Sequence, residues 1–97
     1  MNRGATPAPQ IQISPVDGDE FEVVVSGHRV TRHRVRVAPS HLERFAPPGT
    51  RAVRLLEESF RFLLEREPNT SILSRFDLSV IERYFPDYTA EIRRRLR

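Results

Sequence analysis

The stretch Thr31-Arg-His-Arg-Val-Arg-Val-Ala-Pro-Ser-His-Leu-Glu43 decides the fold, because the hydrophobic pattern changes within it. Up to Val37 apolar and charged residues alternate with the period of two that is typical of a β-strand. From Ser40 onward apolar residues recur three and four positions apart, as on one face of an α-helix. The chain therefore predicts an α+β domain in which strands come first and helices follow.

The residues before this change predict a three-stranded antiparallel β-meander over residues 10–38. The first turn contains Gly18, which suits the left-handed position that closes a three-residue hairpin loop. Such a loop places Ile13 opposite Phe21, so that the apolar residues of both strands share one face. The loop length of the second hairpin is not fixed by the pattern, and its register stays open.

The residues after the change predict a bundle of three to five short α-helices over residues 40–97. Ser40 and Glu43 form the S-x-x-E pattern of a capping box, and the prolines that follow end this helix within two turns. A longer helix is expected over residues 51–67. Asp77 is then expected to cap a segment that ends before Pro86, where the last helix begins.

The longer helix carries an apolar arc that is wider than one contact surface needs. Leu55 and Phe62 lie seven positions apart on a face that adjoins the main apolar stripe. The sheet on one side and the C-terminal helices on the other would cover this arc. A homodimer interface formed by Leu55 and Phe62 is the alternative, and the sequence leaves both open.

The composition fits one small globular domain over residues 10–97, preceded by a flexible tail over residues 1–9. Hydrophobic residues make up 38% and charged residues 30% of the 97 residues, and cysteine is absent. The absence of cysteine excludes disulfides and is typical of a reducing cytosol. No signal peptide and no apolar run long enough for a membrane helix is found, so a cytoplasmic location is expected.

Two groups of arginines are the strongest charged features of a chain that carries a net charge of only +3. Arg32, Arg34 and Arg36 alternate along the third strand and would stand in a row on its outer face, where they pair with glutamates or contact nucleic acid or an acidic partner. Arg93, Arg94 and Arg95 lie in the last helix, where they suit the helix dipole or contact nucleic acid or an acidic partner. The low net charge counts against a purely electrostatic nucleic-acid binder.

Two parts of the chain carry a resemblance: the Thr31–Val37 strand and the stretch Phe62-Leu-Leu-Glu-Arg-Glu-Pro-Asn-Thr-Ser-Ile-Leu-Ser-Arg-Phe-Asp-Leu-Ser-Val-Ile-Glu-Arg-Tyr-Phe-Pro86. Both are similar to an uncharacterised family of small bacterial proteins. The resemblance would cover residues 10–90. It implies a bacterial cytosolic setting, and no activity, ligand or functional residue comes with it.

The order of a strand with alternating arginines and two helices is also similar to ribbon-helix-helix repressors. In that fold paired strands enter the major groove of DNA, and Arg32, Arg34 and Arg36 would read the bases. The first helix, confined between Pro39 and Pro47, is too short for that fold, and the third strand already has a partner in its own chain.

No pattern of residues predicts a catalytic, cofactor or metal site. The spacing of His28, His33 and His41 matches no zinc pattern, and no phosphate-binding loop or nucleophile motif is found. The sequence therefore predicts neither an enzyme nor a small-molecule substrate. The first hypothesis is a non-catalytic binding or regulatory module that contacts a protein partner or itself, and the second is a nucleic-acid-binding regulator.

Overall fold

The computed structural model describes residues 9–97 and shows a β-sheet with helices packed on one face. The strands are β1 (Gln10–Asp17), β2 (Glu20–Ser26), β3 (Val30–Arg36) and β4 (Arg75–Asp77). The helices are α1 (Pro39–Phe45), α2 (Ala52–Leu64), α3 (Val80–Tyr84) and α4 (Tyr88–Arg95), with a 3-10 turn at Asn69–Ser71. The predicted α+β class, with a β-meander before the helices, is confirmed. The tail predicted for residues 1–9 lies, up to residue 8, outside the described residues.

The sheet has the order β1-β2-β3-β4, and its fourth strand was not predicted. β4 pairs with β3 in parallel, and Arg34 N donates to Ser74 O over 2.8 Å. Phe76 is the only apolar residue of this three-residue strand, so no alternation marks it in the sequence. The division into strands before residue 38 and helices after residue 40 is therefore wrong at β4, because pairing with a distant strand forms it.

The first hairpin has the expected faces but a different register. Ile13 lies opposite Val23, whereas the sequence placed it opposite Phe21. Gly18 has the expected positive φ, +53°, but it starts a two-residue loop, and the ladder shifts by one residue at Val16. A shift of two residues keeps every side chain on its own face, so the hydrophobic pattern alone does not separate the two registers.

The start of α1 also differs from the capping box expected at Ser40. The N-cap is Ala38, and the side chain of His41 takes the reciprocal role, since its Nδ1 accepts the Ala38 N–H over 2.9 Å. Ser40 lies inside the first turn of the helix. The short helix itself, ending before the Pro47-Pro48 pair, is confirmed.

Helix α2 lies between the sheet and the C-terminal helices. Its Phe60 ring is 5.5 Å from the ring of His33 on the inner face of β3. Its Phe62 ring is 5.3 Å from Tyr88, at the start of α4, and 5.8 Å from Phe85. The core therefore has two adjoining parts, one on each side of α2, and no helix of the described part of the chain lies against the outer face of the sheet.

Candidate functional site

The arginine row lies on the outer face of the sheet, as the alternation predicts, and each member has a carboxylate within ion-pair distance. The pairs are Arg32–Glu22 (3.5 Å), Arg34–Glu20 (3.7 Å) and Arg36–Asp77 (3.0 Å). The first two join neighbouring strands, because Glu22 and Glu20 lie on β2. These arginines are half exposed, so each pair contributes about 0.2–1 kcal/mol at most.

A fourth arginine joins this face from the strand that the sequence did not predict. Arg75 on β4 lies 3.3 Å from Glu20, which it shares with Arg34. Four arginines thus face three carboxylates, and the patch carries a net charge of only one positive unit. A phosphate backbone would have to displace these carboxylates before it gained the arginines.

The C-terminal arginines connect α4 to its neighbours. Arg93 Nε donates to the carbonyl of Arg44 at the end of α1 over 2.9 Å. Arg95 reaches Glu65 over 2.6 Å, just after α2. Arg94 and Arg95 both bond Glu91, and their hydrogen bonds lower the pKa of that carboxyl to about 2. All three arginines therefore have partners within the chain.

The two arginine groups do not form one surface. Arg32, Arg34 and Arg36 stand on the outer face of the sheet, whereas α4 packs on the side of α2 that faces away from the sheet. A single strand or duplex that contacts one group does not reach the other along a continuous basic face.

The interface expected at Leu55 and Phe62 is not a surface in this structure, and that prediction is corrected. Both side chains are fully buried, with 0% exposure. Phe62 packs between Tyr88 and Phe85, and the guanidinium of Arg66 covers its ring at 3.6 Å. The wide apolar arc is covered within the chain, by the sheet on one side and the C-terminal helices on the other.

Three side chains of the kinds found in hydrolase triads meet between α1 and α3, but they are arranged for structure. Asp77 Oδ2 lies 3.1 Å from His41 Nε2 and accepts the Ser79 hydroxyl over 2.6 Å. Because His41 Nδ1 already accepts the Ala38 N–H, neither ring nitrogen is free to take a proton from Ser79. The cluster ties the start of α1 to the segment between β4 and α3.

The pKa of Asp77 reflects this set of contacts. Burial alone would raise it, but the hydrogen bonds from Ser79 and Arg36 and the nearby His41 hold the pKa of this carboxyl below its usual range.

Within residues 9–97 no group of three or more His, Cys, Asp or Glu side chains is placed to hold a metal ion. His33, one of the three histidines considered for zinc, is buried and bonds Leu73 O and Thr31 Oγ1, each over 2.8 Å.

An open apolar groove of about 450 Å³ lies where the end of α2, the 3-10 turn, β4 and α3 meet. Leu63 and Ile81 form its floor, and Phe76, Val80 and Phe85 its walls; the last three are half-buried. Leu73 and Tyr84 stand at its rim and are 48% and 68% exposed. They are the two large hydrophobic residues of this groove that the fold leaves in solvent.

The polar groups of the groove are few and lack partners within the described residues. Glu67 is its only charged lining residue, and its carboxylate forms no ion pair or hydrogen bond with any of residues 9–97. The hydroxyls of Ser71 and Tyr84 likewise bond no described residue. The groove thus combines an apolar floor with one uncompensated negative charge.

Sequence reasoning missed this groove because its residues come from four separate segments: the end of α2, the 3-10 turn with the residues after it, β4 and α3. The one local signal is the segment Ile72–Phe76, where Ile72 is buried and Leu73 is exposed.

No family model, no curated protein and no solved structure matches the chain. None of the helices in the described part of the chain is long and apolar enough to cross a membrane.

Proposed function

We propose that this protein is a non-catalytic binding module whose groove receives apolar side chains of a partner protein. The observation that carries the proposal is the pair Leu73 and Tyr84, exposed at the rim of a groove whose floor is continuous with the core. Exposed aromatic and aliphatic side chains around a preformed concavity are typical of binding sites. Tyrosine is also enriched among the residues that dominate binding energy at protein interfaces.

The charge of the groove defines the partner further. Glu67 is the only charged residue among its lining residues, and it lacks an ion-pair partner among the described residues. A segment that places Lys or Arg beside one or two bulky apolar residues would pair with Glu67 while its apolar side chains fill the floor. A negatively charged ligand such as nucleic acid would be repelled at this site.

A selection from a displayed library of short random peptides tests this proposal directly. We expect the chain to enrich sequences with Leu, Ile, Phe or Trp next to Lys or Arg. Leu73→Ser and Tyr84→Ser should each weaken binding of these peptides at least about tenfold, since each removes an apolar contact of about 1.4 kcal/mol or more. Val30→Ser is the matched control, because Val30 is 62% exposed and lies in β3, outside the groove.

Two results would refute the groove as the binding site. One is a selection that enriches no common sequence. The other is a peptide that binds the groove variants as tightly as the unchanged chain. Glu67→Gln refines the outcome, because it should weaken basic peptides while leaving purely apolar ones unaffected.

Nucleic-acid binding through Arg32, Arg34 and Arg36 is the second candidate function. It is favoured by the exposure of Arg32 and Arg75, whose side chains are 66% and 70% exposed on one face. It ranks second because carboxylates already pair with this face. Titration with a random DNA duplex at low salt tests it: binding that weakens steeply with salt and is lost in Arg34→Glu would support it, and no binding would exclude it.

A further inference from the structure

The two edges of the sheet differ in how they are protected. β4, at one edge, has three residues, of which Arg75 and Asp77 are charged. β1, at the other edge, has eight residues, and the stretch Gln10–Val16 carries no charge. Proteins protect exposed edges with charges and short strands, because an open edge pairs with another chain. β4 follows this rule along its whole length, whereas β1 has prolines near its two ends and neither a charge nor a proline over residues 10–14.

The hydrogen-bond pattern shows which backbone groups of β1 face outward. Val37 N donates to Asp19 O over 2.8 Å, in the same antiparallel register as the β2–β3 ladder. Hydrogen-bonded and non-hydrogen-bonded pairs alternate along such a ladder. The backbone groups of the odd-numbered residues of β2 therefore bond β3, and those of the even-numbered residues bond β1. The β1 partners of these even-numbered residues are Gln10, Gln12 and Ser14.

Ile11 and Ile13 therefore direct their N–H and C=O groups away from the sheet. Their side chains lie on the inner face but are only half-buried, whereas their partners Val25 and Val23 are 1% and 0% exposed. Within residues 9–97, the same two residues thus leave both backbone groups and apolar surface uncovered at one edge.

We propose that β1 pairs antiparallel with β1 of a second copy, with Gln12 opposite Gln12. In this register Ile11 of each copy faces Ile13 of the other, and the outward backbone groups of both residues bond across the two-fold axis. Gln10 faces Ser14, so no charge opposes a like charge. The inner apolar faces of the two sheets become continuous.

Two prolines limit the pairing to the stretch between them. Pro9 and Pro15 stand at odd-numbered positions, like Ile11 and Ile13, so their backbones also face away from β2. Neither proline carries an N–H, so neither donates to a neighbouring strand. In the proposed register Pro9 of one copy faces Pro15 of the other, and the paired segment is 10–14. A shift by one residue would join the inner face of one sheet to the outer face of the other. A shift by two would set Ile11 or Ile13 against a proline.

A paired segment of this length belongs to the weak class of interfaces, so the dimer should depend on concentration. Sedimentation velocity over a range from low to high micromolar should show monomer passing into dimer. Gln12→Lys should raise the dissociation constant several-fold, because it places two lysines opposite each other. Gln12 is exposed, so the substitution leaves the core unchanged.

Cysteine cross-linking tests the register, and the chain contains no cysteine that would interfere. Gln12→Cys should form a disulfide-linked dimer under mild oxidation, since non-hydrogen-bonded pairs bring Cβ atoms close together. Ser14→Cys is the matched control on the same strand and should not link to itself. A mixture of Ser14→Cys and Gln10→Cys should form the mixed dimer.

The proposal is overturned if the chain stays monomeric over the whole range and Gln12→Cys links no faster than an exposed cysteine at Thr70→Cys. It is equally overturned if Ser14→Cys links to itself as fast as Gln12→Cys. Because Leu73 and Tyr84 lie away from β1, this outcome is independent of the groove.

Discussion

Phe60 and Phe62 lie two positions apart on α2, and their rings pack into opposite parts of the core. Phe60 contacts His33 of the sheet, with ring centroids 5.5 Å apart, and Phe62 contacts Tyr88 of α4 at 5.3 Å. Two positions along a helix rotate a side chain by about 200°. The width of the apolar arc on α2 thus reflects a helix covered on both sides, and the exposed apolar side chains of the groove, Leu73 and Tyr84, lie elsewhere.

Removal of the Phe62 ring should destabilise the protein strongly. The side chain is fully buried, so Phe62→Ala should lower the free energy of unfolding by about 3–5 kcal/mol. Tyr84→Ala, at a side chain that is 68% exposed, should change it by less than about 0.5 kcal/mol. Urea denaturation of both variants measures the difference, and equal losses would contradict the assignment of Phe62 to the core and Tyr84 to the surface.

The protein should lose stability in alkaline solution through Tyr88. Burial raises the pKa of Tyr88, whose hydroxyl lies 2.6 Å from Ser59 Oγ. In the unfolded chain a tyrosine ionises near pH 10, so above about pH 10 the unfolded state binds fewer protons than the folded state. The free energy of unfolding should therefore fall as the pH rises above this value.

Tyr88→Phe provides the control for the alkaline loss. The variant should be less stable at neutral pH by about 0.5–1.5 kcal/mol, because the hydrogen bond to Ser59 is lost. It should also show a shallower decline above pH 10. An identical alkaline decline in the variant and the unchanged chain would show that Tyr88 is not its source.

In acid the protein should lose the contribution of Asp77. Its folded-state pKa lies below the usual value near 4, so the ionised carboxylate stabilises the fold above that pH. This stability should be lost as the pH falls below about 4 and through the folded-state pKa. Asp77→Asn should flatten the acid side of the pH–stability curve. If Asp77→Asn loses stability in acid as steeply as the unchanged chain does, the contacts with Ser79 and Arg36 do not make this contribution.

Substitutions at the start of α1 should separate the cap seen in the structure from the one expected from the sequence. His41→Ala removes the acceptor of the Ala38 N–H and the contact with Asp77, so it should cost about 1–2 kcal/mol. Ser40→Ala should be nearly neutral, because the N-cap is Ala38. Thermal or urea unfolding of both variants measures the two losses of stability. A larger loss for Ser40→Ala would support the capping box expected from the sequence.

The hydrophobic pattern predicted the parts of the fold that depend on neighbouring residues. The alternation of Thr31–Val37 placed His33 and Val35 inward and the arginines outward, and the structure agrees. The short first helix and the Gly18 turn also follow from local chemistry. The register of the first hairpin did not follow from it, because strands shifted by two residues present the same faces. Only the loop at Gly18 and the irregularity at Val16 separate the expected register from the observed one.

The candidate site was beyond sequence reasoning for a related reason. β4 carries one apolar residue, Phe76, and exists because β3 offers it an edge. Leu73 and Tyr84 come from separate segments of the chain and line one groove only after the chain has folded. The apolar arc pointed instead to Leu55 and Phe62, because a sequence shows how wide an apolar face is and does not show how many layers cover it.

Amide NMR of the isotope-labelled chain, titrated with the tightest peptide from the displayed library, tests the central claim most directly. We predict shift changes in the groove, in segments 71–76 and 80–85 and at Glu67, and in the β3 amides that bond to it, such as Arg34 N–H. The side-chain Nε–H signals of Arg32, Arg34 and Arg36, on the outer face of the sheet, should stay unperturbed. The same titration with a DNA duplex should leave both regions unchanged. Peptide-induced shifts that avoid the groove, or duplex-induced shifts centred on Arg32–Arg36, would contradict the assignment of the groove as the binding site.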